Sequence, residues 1–281
     1  MFKEVNEKEY AANSELVIGK KGEKYATEVA YFTGIAKLAR ALYLDTDGVP
    51  CYYLMQLGGG YVEKEKFRTA IGVKDNARAV VTTQAATKVY KCENGHPSYQ
   101  ENEVYVGENA SLEYITDNVI LFKDAMFRQE TTINLKETSS LVYTEGLTSG
   151  WSPDGKRFQY KAIQMRLKMF IDGKPAMLDN LKLNPREDDM SSIGFLEEYN
   201  NYSSLIMVDK LVNDNFIEIL REKIKDLNLD IRAGITKLEC NGLVLRVMGN
   251  LTQDLEKAMF ACINHLRSEK FGANELQLGK R

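Results

Sequence analysis

Histidine and tryptophan are nearly missing from this chain of 281 residues, which holds two of the first and one of the second. Two histidines, His96 and His265, are too few for a stored transition metal, whose site draws three or four ligands from more than one segment. Cys92 and His96 share one loop, but a lone C-x3-H is not a metal motif. The four cysteines, Cys51, Cys92, Cys240 and Cys262, show no C-x-x-C spacing. Free thiols packed as small apolar groups are expected, and a disulfide framework is not. Charge of one sign is not concentrated either: the formal net charge is -3 and Lys and Glu are interleaved. A nucleic-acid binder needs a dense basic surface to displace counterions, so that class is excluded. No apolar run approaches ~20 residues and Met1–Tyr10 lacks the apolar stretch of a leader, so a cytoplasmic protein with no membrane role is expected. Neither G-x4-G-K-[S/T] nor G-x-S-x-G occurs, and the Gly19-Lys20-Lys21-Gly22 run only imitates the first in composition. Nucleotide hydrolysis, where needed, has to come from a partner.

What is present is enough apolar material for a core, 44% hydrophobic against 27% charged residues, so the chain is not disordered. From Phe158 to Ile171 apolar residues alternate with a phase slip at Ile163-Gln164, which reads as a half-buried strand with a bulge or bend. Asp172-Gly173 signals a turn and Ala176–Leu183 a returning strand. Short strands are also drawn at Ala79–Thr83, Glu103–Val106, Leu112–Ile115, Val119–Phe122, Thr131–Leu135 and Leu141–Tyr143. Their spacing of about eight to twelve residues suggests a mainly β, multi-stranded, largely antiparallel sandwich-like body. The last seventy residues differ. Phe216, Ile217, Leu220, Ile224 and Leu227 fall at helical spacing, and a hairpin is expected around Asn241-Gly242. A last helix is predicted from about Gln253 to Arg267, capped by Thr252, with the stripe Leu255, Met259, Cys262, Ile263 and Leu266. A single domain over residues 1–281 is expected, with about 211–270 as a possible αββα subregion.

The segment Val81–Tyr90 is odd on physical grounds. It is β-prone and nearly uncharged, yet half its side chains are hydroxyls or amides. A strand that places Thr82, Thr83, Gln84 and Thr87 where Val or Ile would bury more area must hydrogen-bond with them or present them to something. Glu63, Glu65, Glu113, Glu145, Asp154 and Asp179 read as residues of strand ends and turns. Two such carboxylates could do glycosidase-type acid–base work, although the single Trp151 counts against a sugar cleft.

The block Thr82-Thr83-Gln84-Ala85-Ala86-Thr87-Lys88-Val89-Tyr90, with Gly58-Gly59-Gly60 upstream, resembles the signature of the urease accessory protein UreD (UreH) family. Further landmarks follow in family order from about residue 36 to 267, among them Ala36–Asp45, Tyr99-Gln100, Asn118–Phe122, Gly150-Trp151-Ser152-Pro153-Asp154-Gly155 and Ala233–Leu238. The resemblance implies an elongated, nearly all-β scaffold with a few helices, and not an enzyme. It implies binding of the urease apoprotein and recruitment of UreF and, through it, the GTPase UreG, for nickel insertion into urease. It also implies a polar internal passage for nickel, with no tightly bound cofactor and nickel only in transit. On that reading Glu65, Thr82, Thr83, Glu145 and Asp179 are the expected passage or ion contacts. Lys88 and Tyr90 would organise the fold or a partner surface, and Leu255, Met259 and Ile263 would dock UreF. The chain departs from the family at Glu63-Lys64-Glu65, where relatives usually carry Gly-Gly-Asp, and at Gly155-Lys156, where many carry Gly-Glu. The alternatives are a stand-alone β-sandwich hydrolase working through paired carboxylates and a nickel-binding protein acting alone.

Overall fold

Period-two alternation governs most of the chain, and the computed structural model, which describes residues 1–45 and 47–280, is correspondingly rich in strands. After a 3-10 turn at Glu7–Glu9 come β1 (Ala12–Lys21), β2 (Lys24–Gly34), β3 (Ala36–Leu38), β4 (Leu42–Tyr43) and β5 (Pro50–Gln56). The middle holds β6 (Lys66–Val73), β7 (Arg78–Thr83), β8 (Lys88–Val89), β9 (Ser98–Val106), β10 (Ser111–Ile115) and β11 (Ile120–Leu121). It continues through β12 (Met126–Leu135), β13 (Ser140–Thr148), β14 (Ala162–Ile171), β15 (Lys174–Leu183) and β16 (Asn201–Val208). The C-terminal end adds α1 (Asp214–Asp226), β17 (Ile231–Lys237), β18 (Gly242–Gly249) and α2 (Thr252–Phe271). The body is thus mainly β, with its two helices at the C-terminal end.

Two sheets stack face to face, in strand orders β15-β14-β12-β9-β6-β1-β2 and β17-β18-β16-β13-β10-β7-β5-β3, with β4 also on β5. From β5 to β14 the main strands alternate between the sheets. The chain therefore returns to a sheet only after a pass through the other one, travelling in the same direction. Strands β6, β9, β12 and β14 are parallel neighbours, and so are β5, β7, β10 and β13. The expectation of a largely antiparallel body is corrected accordingly, and antiparallel pairing is confined to the margins, as in β1–β2, β14–β15 and β13–β16–β18–β17. The regular strand spacing in the sequence separates strands that face each other across the core, not hairpin partners.

Smaller corrections concern the ends of elements. The slip expected at Ile163-Gln164 is no bulge: β14 starts at Ala162 and pairs with β12 through both residues without a shift, and the backbone turns before the strand, where Phe158 takes a left-handed φ of 56°. The register shift with β15 falls between Met169 and Phe170. Helix α1 is capped by Asn213, whose side chain accepts from the Phe216 amide at 3.0 Å. Helix α2 starts at Thr252 itself behind an N-cap at Leu251 that makes no side-chain bond, and runs past Arg267 to Phe271, where Gly272 closes it at φ 60°. Glu113, Glu145 and Asp179 lie inside strands, not at their ends.

Three apolar clusters fill the molecule. One lies between the sheets and includes Leu16, Ile71, Val81, Val104, Leu112, Ile133, Leu141 and Leu167. A second, also between the sheets but at their other end, gathers Tyr61, Phe67, Val89, Leu121, Phe127, Leu147 and Met165. The third seats α1 and α2 on the outer face of the nine-stranded sheet, joining Leu220, Leu255, Met259 and Ile263 to Val80, Val142 and Leu205. Strands β17 and β18 continue the nine-stranded sheet through β16. Among the described residues no helix is long and apolar enough to cross a membrane.

Candidate functional site

Between the two inter-sheet clusters the core turns polar. Strand β12 passes from Phe127 through Gln129 and Thr131 to Ile133 and Leu135, and β6 from Phe67 through Thr69 to Ile71. Strand β13 likewise carries Leu141, Tyr143, Glu145 and Leu147 at successive inward positions. Parallel in-register pairing sets like beside like. Thr69, Asn102 and Thr131 form one rung, and Gln100 and Gln129 the next. Hydrogen bonds join these rungs, as buried polar groups require. The Gln100 amide donates to Asn102 Oδ1 at 2.8 Å, and Asn102 Nδ2 donates to Thr131 Oγ1 at 3.2 Å. Tyr61, stacked on Phe67, receives a hydrogen bond from Gln56 and donates to Gln100 Oε1 at 2.5 Å.

This belt surrounds a cavity of about 180 Å³, whose lining includes Gln56, Tyr61, Thr83, Gln100, Asn102, Asp117, Gln129, Tyr143 and Glu145. A polar space of that size has room for several waters. Glu145 is its chemical focus. The carboxylate accepts from Tyr143 Oη at 3.0 Å and Gln129 Nε2 at 2.9 Å, both neutral donors, and forms no ion pair among the described residues. Burial therefore dominates and pushes its pKa up to about 7, with Asp179 adding to the rise and Arg246 opposing it. Opposite Glu145 on β16, the buried Ser204 hydroxyl has no hydrogen-bond partner among the described residues. At the other side of the cavity Thr83 Oγ1 donates to Asp117 Oδ2 at 2.7 Å and accepts from the Asp117 amide at 2.9 Å.

The glycine turn and the Val81–Tyr90 block are one structural unit. Lys88 O accepts from Tyr61 N at 2.8 Å, and Tyr61 O accepts from Tyr90 N at 2.9 Å. Tyr90 Oη donates to Gly59 O at 2.7 Å. A Cβ on Gly60, whose φ is 149°, would stand 2.4 Å from Lys88 O, and one on Gly59 would stand 2.7 Å from Tyr90 Oη. Glycine is thus required by close approach as well as by dihedral angle. Gln84, Ala85, Ala86 and Thr87 cross the cavity wall between these anchors.

A family model described as "UreD urease accessory protein" matches residues 11–278. The chain belongs to the UreD family. The urease accessory protein UreD of Streptococcus salivarius (strain 57.I) is 35% identical over 236 residues, 84% of this chain and 85% of that protein. The Ureaplasma urealyticum UreD is 34% identical over 254 residues, 89% and 88% of the two chains. That of Lachnoclostridium phytofermentans is 32% identical over 271 residues, 96% and 98%. The family resemblance drawn from the sequence is thereby established, and with it a role in urease maturation.

Among the expected UreD passage residues, the fold brings Thr83 and Glu145 to the same cavity. Asp179 lies apart in an ion pair with Arg246 Nη2 at 2.8 Å, and acts on Glu145 through its field. Glu65 Oε2 accepts from the Val62 amide at 3.1 Å and stays in the glycine turn, where its charge helps raise the pKa of Tyr61. Thr82 faces away from the cavity and donates to Ile115 O at 2.6 Å. Leu255, Met259 and Ile263 are buried against the chain's own sheet and are not exposed for a partner. Glu113 is taken up by Arg267, whose Nη1 lies 2.8 and 2.7 Å from its two oxygens. Cys92 is buried and accepts from the Met126 amide at 3.3 Å, while His96 is exposed, so they form no shared ligand pair.

Sequence reading missed Gln100, Asn102, Asp117 and Gln129 as site residues. A signal was present: Gln100-x-Asn102-x-Val104 and Gln129-x-Thr131-x-Ile133 both switch from polar to apolar along one strand face. At Glu63-Lys64-Glu65, Lys64 adopts φ 69°, so the turn keeps the left-handed conformation without a glycine. The Glu63 carboxylate caps the neighbouring loop, accepting from the His96 amide at 2.8 Å and the Asn94 amide at 3.1 Å. These bonds pull its pKa down to about 2.

Proposed function

We propose that this chain is a non-catalytic scaffold of urease maturation, working in the cytoplasm, that offers nickel a passage between its two sheets. Glu145 carries the reading: a buried carboxylate on a polar cavity that, among the described residues, is held by the neutral donors of Tyr143 and Gln129 and has no cation partner. Such a group attracts a divalent ion without fixing it. Hydroxyl, amide and carboxylate oxygens hold nickel more loosely than imidazole or thiolate would, which suits an ion that must leave again. The partners of the proposed complex are the urease apoprotein, UreF, and UreG bound through UreF. The hydrolase alternative needs a second free acid facing Glu145, whereas Asp179 is engaged by Arg246.

The test is Glu145→Gln, which keeps shape and hydrogen bonding but removes the charge. Co-expressed with urease and its other accessory proteins, it should leave the complex able to co-purify while the nickel content of urease falls severalfold. Full nickel loading with this variant would remove Glu145 from the passage. A partner-free monomer with hydrolytic activity of its own would sink the scaffold reading.

A further inference from the structure

Beyond helix α2 the chain forms no helix or strand as far as Lys280, yet it is tied down along its length. Ala273 N donates to Arg267 O at 3.3 Å, and Asn274 donates to Asp45 from its amide at 3.1 Å and its side chain at 3.0 Å. Leu276 N donates to Asn264 Oδ1 at 2.9 Å, its side chain is buried, and Leu278 O accepts from Tyr53 Oη. The run ends with Lys280 Nζ 2.9 Å from each oxygen of Asp117.

With α2, this strap bounds an outer groove of about 660 Å³. The groove and the inner cavity share Gln84, Ala85, Ala86, Thr116 and Asp117 in their linings. Asp117 is the single acid of that shared set. An ion moving between groove and cavity on this side passes Asp117, and the Lys280 ammonium already occupies both of its oxygens. Glu256 lines the same groove as Asp117 and Lys280, so all three groups stand around one opening.

We propose that residues 273–280 are a removable strap and that Lys280 is a tethered cation that plugs the outer mouth of the cavity, competing with a divalent ion for Asp117. The proposal rests on the cavity serving as a passage. The strap is suited to lifting. Among the described residues it is held by one backbone hydrogen bond to the end of α2, side-chain hydrogen bonds, one ion pair and a few apolar contacts, with no sheet ladder to break, and such segments open at the low end of a protein's local stability range. When it lifts, Asp117 loses its cation and keeps Thr83 as a partner, leaving a carboxylate at the threshold.

Amide hydrogen exchange on the full chain tests this with Lys280→Met, which keeps the aliphatic stem, beside Lys280→Arg, which keeps the charge. A partly exposed ion pair of this kind supports a change of about three- to fivefold. Lys280→Met should speed exchange by that factor in the segments 81–87 and 115–118 and in the strap, and leave β12 and β14 unchanged, while Lys280→Arg should match the wild type. Unaltered exchange in Lys280→Met, acceleration spread evenly over the protein, or equal acceleration in Lys280→Arg would overturn the plug. Glu145→Gln leaves every strap contact intact and brings no local acceleration of exchange in the strap, 81–87 or 115–118. Failure of the passage therefore shows in nickel loading by that variant, and failure of the plug shows in exchange.

Discussion

The space between the two sheets holds two regions built by the same strands in opposite chemistry. Toward one end β9, β12 and β13 contribute Val104, Ile133 and Leu141, and the core is dry and closed. Two to four residues along the same strands, Asn102, Gln129 and Glu145 face a cavity. Burying a large aliphatic side chain contributes roughly 1.5–3 kcal/mol, so the belt gives up stability that its neighbour collects. Parallel register concentrates the difference, because it gathers the polar choice of every strand at one level. A stability deficit so localised marks the level at which the fold does its work.

The widest contrast is expected from truncation on the dry side. Ile133→Ala should cost about 2–5 kcal/mol in denaturant unfolding, the sum of lost transfer energy and a residual cavity. Nickel loading of urease per mole of folded protein should stay unchanged. Loss of loading beyond the loss of folded protein would erase the distinction between the two regions.

Glu145→Gln should move the two readouts in opposite directions. The Glu145 pKa of about 7 lies above the ordinary carboxylate value near 4.5. The folded state therefore holds the proton more tightly than the unfolded chain. The stability this lends is complete at low pH, declines as pH rises through 4.5, and is gone above 7. Between pH 5 and 8 the wild type should lose about 2–3 kcal/mol through this group. Denaturation midpoints of Glu145→Gln should lack that part of the slope, so the variant is more stable than the wild type at pH 8 while supporting less nickel loading. Parallel pH profiles for the two proteins would mean that Glu145 is charged and solvated, and the belt would lose its focus.

These particular residues also show what a sequence can disclose. Alternation located β14, because a half-buried strand writes its pattern locally, and short β-prone runs between turn residues located parts of β7, β9, β10, β12 and β13. Pairing direction was not legible, since it depends on which strands become neighbours after the chain has wound through both sheets. The Val81–Tyr90 block was noticed for its hydroxyls, and Thr83 does line the cavity. Thr82, one residue away, points to the opposite face, and single-strand reasoning had no phase with which to tell the two apart. Gln100, Asn102 and Gln129 become a site only when register puts them side by side. Leu255, Met259 and Ile263 were visible as an apolar stripe, but the surface that covers such a stripe is a tertiary fact.

A smaller effect is expected inside the belt. Asn102→Val removes the acceptor of the Gln100 amide and the donor to Thr131 at once. It should cost about 1–2 kcal/mol, less than a dry-side truncation, because the added apolar contact offsets part of the unmet hydrogen bonding. Calorimetric unfolding checks it. A gain in stability would show that the ladder is structurally dispensable and is kept for function alone.

The finest probe lies at the rim of the polar end, in the turn that carries Gly58-Gly59-Gly60. Lys64 holds a left-handed φ of 69° where a Cβ is unfavourable by about 1–2 kcal/mol. Lys64→Gly relieves that strain and returns part of the gain as extra freedom of the unfolded chain, about 0.4–1 kcal/mol. A net stabilisation of about 0.5 kcal/mol is expected, a rise in Tm of about 1–2 °C for a chain of this size. Lys64→Ala, which keeps the Cβ, should leave Tm where it is. The pair separates backbone strain from charge: an equal rise in both variants would assign the effect to removal of the lysine, and the turn at the polar end would then be as relaxed as the strands of the dry one.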